Sequence, residues 1–279
     1  MGVTEPEEVE PQAGRAEYVK RRRLAGTRIA ILVPAVVVLV AALVVALVLL
    51  LLRGSGGPSV PRAAIVDQLS LTVPNPEFVQ AATETLEGAG YLVDYYPGEE
   101  VTVQFYRDLA THGYKLIILR VHSGRLRSGD LETLTDDVTL FSAEPYSRDM
   151  YEDEQRERRL AVARYFAGQP DPQRYFGIVS DFIGSSMRGN LDGAIVLLMG
   201  CDTLRSDRMA QAFVRRGAKA VVGWSDLVSS PYMDAATERL LHHLAVDHYS
   251  AQEAVTQAMA EVGSDSSSGS VLRVYSPGG

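Results

Sequence analysis

One cysteine, Cys201, and five histidines are the side chains of this chain best suited to nucleophilic or acid–base chemistry. A single cysteine excludes an intrachain disulfide. It leaves a buried core thiol, an intermolecular partner or a reactive nucleophile. Cys201 follows the apolar run Ala194–Met199 (AIVLLM) and Gly200, and His122 follows the run Lys115–Val121 (KLIILRV). If both runs are strands of an open α/β sheet, both residues stand at the strand ends that line ligand clefts. A thiol beside an imidazole is the minimum for covalent catalysis on a carbonyl. The thiolate attacks carbon and the imidazolium protonates the leaving amine. His112, His242, His243 and His248 fall in helix or helix-end contexts, and the adjacent His242 and His243 diverge on a helix instead of sharing a metal. H-E-x-x-H, paired-cysteine, phosphate-loop and G-x-S-x-G motifs are absent from the sequence. No metal or cofactor is therefore expected, and neither a nucleotide-binding domain nor an α/β-hydrolase elbow is supported.

The elements that must position this pair alternate between strand and helix patterns. Ala63–Leu69, Tyr91–Tyr95, Lys115–Val121, Ala194–Met199, Ala220–Trp224 and Val271–Tyr275 read as strands. Asn75-Pro76 caps a helix with Phe78, Val79, Ala82 and Leu86 on one face. A second helix starts near Thr102, a third carries Met209, Ala210, Phe213 and Val214, and two more cover 232–246 and 251–262. This alternation predicts an α/β domain: a mostly parallel open sheet of about six strands with helices on both faces. The segment Ser123–Gly193 breaks the rhythm. It predicts a hairpin near Val138–Phe141 and a charged helix from Asp149 to Phe166. Long insertions of this kind serve as lids or regulatory segments.

The stretch KLIILRVHSG, then AIVLLMGCDT, then SDRMAQAFVRRGAKAVVGWSDLV resembles the caspase-haemoglobinase fold of clan CD cysteine peptidases, closest to CHAT-domain and related prokaryotic caspase-like proteins. The resemblance spans roughly Ala63 to Val262 and is specific in the block from the cysteine to the following strand. It implies a caspase-like three-layer sandwich with His122 as catalytic histidine and Cys201 as nucleophile. It also implies an oxyanion hole made by the backbone N–H groups of Ser123 and Cys201, donors aimed at the developing charge. Two positions depart from the family pattern. Ser123 stands where glycine usually follows the histidine, and Met199-Gly200 replaces the usual Ser-Ala. The resemblance places a substrate pocket around the strand ends, with Asp67, Asp202, Trp224 and Asp226 as candidates. An acidic pocket favours Arg or Lys substrates; the same aspartates also suit helix or turn capping. The charged segment around Tyr151–Arg164 is either a processing loop or a solvated helix.

The rest of the chain attaches this domain to something. Residues 1–28 read as a disordered cytoplasmic tail, rich in Glu, Pro and Gly over its first part. From Ile29 to Leu52 every residue is apolar or Pro. About 24 residues at 1.5 Å each give roughly 36 Å, enough to cross a hydrocarbon core of about 30 Å. The apolar core of a cleaved signal peptide is shorter. Residues 53–62 form a Gly/Ser/Pro linker, and 63–279 form the domain. Lys20, Arg21, Arg22, Arg23 and Arg28 precede the apolar run, against Arg53 and Arg62 after it. The positive-inside rule then leaves the N-terminus in the cytoplasm and the domain outside. The expected partners are the bilayer, through 29–52, and a peptide or protein substrate. A net charge of −8 argues against nucleic acid. The expected function is a single-pass membrane-anchored caspase-like cysteine endopeptidase. The alternative is a catalytically inactive caspase-like module for binding or assembly at the membrane.

Overall fold

The computed structural model describes residues 43–44, 60–128, 133–165 and 173–277. The chain divides into two units, Met1–Ser59 and Val60–Gly279. The tail 1–28, the apolar run 29–52 apart from Leu43 and Val44, and most of the linker lie outside the described residues. Among the described residues no helix is long and apolar enough to cross a membrane.

In the second unit the strands are β1 (Arg62–Asp67), β2 (Leu92–Pro97), β3 (Leu116–Arg120), β4 (Ser123–Ser128), β5 (Thr133–Pro145), β6 (Leu160–Arg164), β7 (Arg174–Ile178), β8 (Ile195–Met199), β9 (Ala220–Trp224) and β10 (Leu272–Tyr275). The helices are α1 (Pro76–Gly88), α2 (Val103–Asp108), α3 (Glu152–Arg156), α4 (Ser180–Ser185), α5 (Arg208–Arg215), α6 (Ser230–Leu241) and α7 (Ala251–Val262). The unit is α/β, with a mixed six-stranded sheet in the order β10-β9-β8-β3-β1-β2. Every neighbouring pair is parallel except β9 and β10.

Side-chain alternation along these strands sorts the core onto two faces. Ala63, Ile65, Leu116, Ile118, Leu197, Met199, Val222 and Trp224 pack with α1, α6 and α7. Ala64, Val66, Ile117, Leu119, Val196, Leu198 and Val221 pack with α2, α4 and α5. Strands buried on both faces must be apolar throughout, which is why KLIILRV, AIVLLM and AVVGW carry no polar stripe. Asn75 caps α1 by accepting from the Phe78 N–H at 3.1 Å, and Ser250 and Glu253 close a capping box on α7.

The insertion folds differently from the expectation. The hairpin near Val138–Phe141 is part of a longer one, β4 with β5, inside a second, antiparallel sheet ordered β4-β5-β7-β6. The helix expected from Asp149 to Phe166 is one short turn, α3, followed by strand β6 over the described residues. Helix-forming charges end at Arg159. Leu160–Arg164 then pairs antiparallel with β7, from Leu160↔Ile178 to Arg164↔Arg174. Leu160 and Ala163 are buried beneath it. Tertiary pairing overrides local propensity here. Val138, Leu140, Phe176 and Ile178 of this second sheet join the α2, α4 and α5 side of the core.

Candidate active site

β3 and β8 are direct neighbours, in parallel register up to Arg120↔Met199. The Val121 N–H donates to the Met199 carbonyl at 3.0 Å, carrying the pairing one residue further. His122 and Cys201 therefore sit at the same level, each two residues beyond the last paired positions of adjacent strands. A side-chain bond stitches the two ends together: Ser123 Oγ donates to the Cys201 carbonyl at 2.6 Å. Gly200 permits this approach, because a Cβ there would collide with the Val121 carbonyl oxygen and Ser123 Oγ. Ser123 and Gly200 thus meet at one contact.

The imidazole is held from three sides. His122 Nε2 lies 2.7 Å from Thr72 Oγ1. Its ring packs 4.9 Å from the Tyr165 ring and 6.0 Å from Phe141. Its backbone N–H donates to Gln68 Oε1 at 2.9 Å, and the Gln68 amide donates to the Tyr165 hydroxyl. Gln68 and Thr72 belong to the turn after β1, and Tyr165 follows β6. None of the three carries a local sequence signal of its role. The general rule that loops at strand C-termini line the site points only to the segment after β1.

Burial, with the nearby Arg120 charge, pushes the His122 imidazole down to about 4. Burial pushes the Cys201 thiol up, reinforced by Asp202, Asp226 and Asp265. The resting pair is therefore thiol and neutral imidazole. The thiol donates to the Val228 carbonyl at 3.7 Å. Among the described residues no hydrogen bond joins it to His122. Because the folded pKa lies below the unfolded value near 6.5, the neutral histidine's contribution to stability is complete above that value. It is lost as pH falls toward 4. Chemical denaturation at pH 7 and pH 4.5 should show wild type losing more stability on acidification than His122→Gln; equal losses would contradict this burial.

Two backbone donors near the junction have no acceptor among the described residues. The His122 carbonyl accepts from the Phe141 N–H at 2.9 Å. This makes Ser123↔Leu140 a non-hydrogen-bonded pair of the β4–β5 ladder. The Ser123 N–H then points away from β5. Neither it nor the Cys201 N–H has a protein acceptor among the described residues.

Beneath the histidine lies a buried charge cluster. Arg120 is fully buried and donates to Asp67 at 2.7 Å, to both Asp234 oxygens at 2.8 Å and to the Val73 carbonyl at 3.1 Å. Asn75 Nδ2 adds a bond to Asp234 at 2.8 Å. Burial raises the Asp67 carboxyl against the lowering effect of Arg120.

The four pocket candidates are dispersed. Asp67 is 1% exposed and its carboxylate is bound to Arg120. Trp224 is buried in β9, edge-on to Tyr232 at 5.6 Å, and its indole N–H has no hydrogen-bond partner among the described residues. Asp202 and Asp226 come together: the Asp202 N–H donates to the Asp226 carbonyl at 3.0 Å, in a left-handed turn with φ 60°. Arg205 binds both carboxylates, at 3.4 and 2.7 Å. Among the described residues no His, Cys, Asp and Glu group is arranged to hold a metal ion. No family model matches the chain, and no curated protein matches it.

Proposed function

We propose that this protein is a membrane-anchored, caspase-like cysteine endopeptidase whose dyad is His122 and Cys201. The observation that carries the reading is the junction of β3 and β8. A thiol and an imidazole stand level on adjacent strand ends, and the Ser123 and Cys201 N–H groups at those ends have no acceptor among the described residues. With Nε2 engaged by Thr72, Nδ1 is the nitrogen left to exchange protons.

In the proposed reaction a substrate carbonyl oxygen sits between the Ser123 and Cys201 N–H groups. The thiol proton passes to His122 as sulfur attacks the carbonyl carbon. The oxyanion is stabilised by the two donors, an arrangement worth about 10²–10³ in kcat per donor in comparable sites. The imidazolium gives its proton to the amine, the C–N bond breaks and an acyl thioester remains. Water, deprotonated by His122, hydrolyses the thioester and restores the resting pair. The thiol's raised pKa is consistent with a nucleophile deprotonated only when substrate brings the groups together.

The apolar run 29–52 would hold the domain on the membrane, and the basic residues before it favour an outside-facing domain. Protease added to intact cells should remove the domain; protection of the domain would reverse that orientation.

A second reading has its own observation. The thiol is raised in pKa and satisfied by Val228, as expected for a quiet core cysteine in an inactive binding module. Peptide cleavage by the full chain separates the two. Wild type should cleave members of a mixed peptide library and Cys201→Ala should leave all of them intact. Equal cleavage by both would remove Cys201 from the chemistry, and no cleavage by wild type would favour the module.

A further inference from the structure

The N-terminal ends of the parallel strands form one edge of the main sheet, opposite the edge that carries His122 and Cys201. A row of backbone bonds marks it. The Leu92 N–H donates to the Pro61 carbonyl at 2.9 Å, Lys115 to Arg62 at 2.8 Å and Lys219 to Ala194 at 2.8 Å. The chain enters β1 at this edge, through Val60 and Pro61. We propose that this edge is a lipid-docking surface that rests in the headgroup region of a bilayer through Val60, Leu92, Val246 and Tyr249. The proposal rests on the reading of 29–52 as a membrane anchor.

The turn after α6 reaches the same edge. α6 starts beyond the C-terminal end of β9, and its first turns are fixed at that end. Asp234 binds Arg120 at the end of β3, and Thr237 Oγ1 donates to Met199 Sδ, at the end of β8, at 2.9 Å. The 12 residues of α6 then descend about 18 Å, roughly the length of a five-residue strand. The turn 242–250 is held rigid at the bottom. His243 Nδ1 lies 2.7 Å from Asp247 Oδ2, and Nε2 lies 2.9 Å from Glu261 Oε1 of α7. The Tyr249 ring stacks on His243, 5.8 Å away at 6°. The turn packs against α1, whose C-terminal end leads into β2 at Leu92.

Val60, Leu92, Val246 and Tyr249 are each 42–57% exposed. An apolar side chain exposed alone needs no explanation. These four share the edge at which the chain arrives from an apolar run. Residues 53–59 separate that run from Val60, a reach of at most about 30 Å. Such a tether makes a weak lipid contact intramolecular, at high effective concentration. Tyrosine suits this zone, with an apolar ring and a wet hydroxyl. The charges at the edge are mixed: Lys115 and Lys219 are exposed, as are Glu87, Asp192 and Asp247. No headgroup charge is selected, so the apolar groups carry the contact and a zwitterionic lipid suffices. With this edge on lipid, the His122–Cys201 junction stands at the far ends of the strands, roughly 17 Å further out, open to protein substrates.

The test reconstitutes the full-length chain in vesicles of dioleoylphosphatidylcholine, or of a phosphatidylcholine brominated high on its acyl chains, where bromine quenches nearby tryptophan. Trp224 is the only tryptophan of the chain and is buried, so wild type gives the baseline. In brominated vesicles Tyr249→Trp should lose about half of its added emission. Leu227→Trp, at the opposite edge, should lose less than about a tenth. Adding Leu92→Ser and Val246→Ser to Tyr249→Trp should reduce the quenching about twofold. Salt at about 0.5 M should leave it unchanged, because screening weakens only charge attraction. Flotation after an alkaline carbonate wash reads the anchor separately. Chains that float but show no quenching at Tyr249→Trp, or equal quenching at Leu227→Trp, overturn the docking and leave the anchor standing. Quenching abolished by salt overturns the apolar contact. Chains that do not float overturn the anchor reading and the docking with it.

Discussion

Replacing Arg120 by Leu is expected to cost about 3–5 kcal/mol of folding stability, the usual effect of removing one partner from a buried ion pair. Among the described residues Arg120 is the sole cation bound to Asp67 and Asp234, and all three side chains are at most 6% exposed. Its loss leaves two buried carboxyls facing each other without compensation. The Asp67 carboxyl, which burial already pushes up, then rises further without the guanidinium that lowers it. The stability it retains is greatest at low pH and falls as pH rises through the raised value. Denaturant unfolding of Arg120→Leu should therefore show a deficit that grows from pH 5 to pH 8. A small deficit that does not change with pH would mean that the cluster is not charged as described. The guanidinium also binds the Val73 carbonyl, next to Thr72, so the variant should loosen the turn that holds His122.

His122→Ala is expected to lower kcat by about 10²–10⁴, the range for a positioned general acid–base group. The fold should survive, because the ring packs mainly against Tyr165 and Phe141 at the edge of the core. Groups that act as a unit are not additive. The double variant His122→Ala/Cys201→Ala should therefore be no slower than Cys201→Ala alone. Steady-state rates on one cleaved peptide check this. A His122→Ala enzyme within about threefold of wild type would take the imidazole out of the proton transfers.

The main sheet was legible because its strands are buried on both faces. KLIILRV, AIVLLM and AVVGW can hardly be anything else at their length, and His122 and Cys201 follow the first two directly. Their neighbour relationship was not legible. β8 lies beside β3 although more than seventy residues of insertion separate them in sequence, and only strand order decides that. The insertion was harder to read for a physical reason. β6 is an edge strand of the second sheet with no alternating burial pattern, and the acidic and basic residues before it mimic a solvated helix. Its pairing with β7 is a long-range fact. Gln68, Thr72 and Tyr165 share that difficulty: each acts on His122 across a contact between distant segments. Trp224 shows the reverse case. An aromatic residue at a strand end suggests a pocket wall, but the helix α6 covers it through Tyr232.

The central claim is that Cys201 is a nucleophile presented to peptides. Since Cys201 is the only cysteine in the chain, the intact mass after treatment with a panel of peptidyl chloromethyl ketones reports directly on it. The account predicts one adduct per folded chain with at least one member of the panel, formed faster than on the urea-unfolded chain and slowed in His122→Ala. A folded chain that forms no adduct with any member, while the unfolded chain is alkylated, would contradict it.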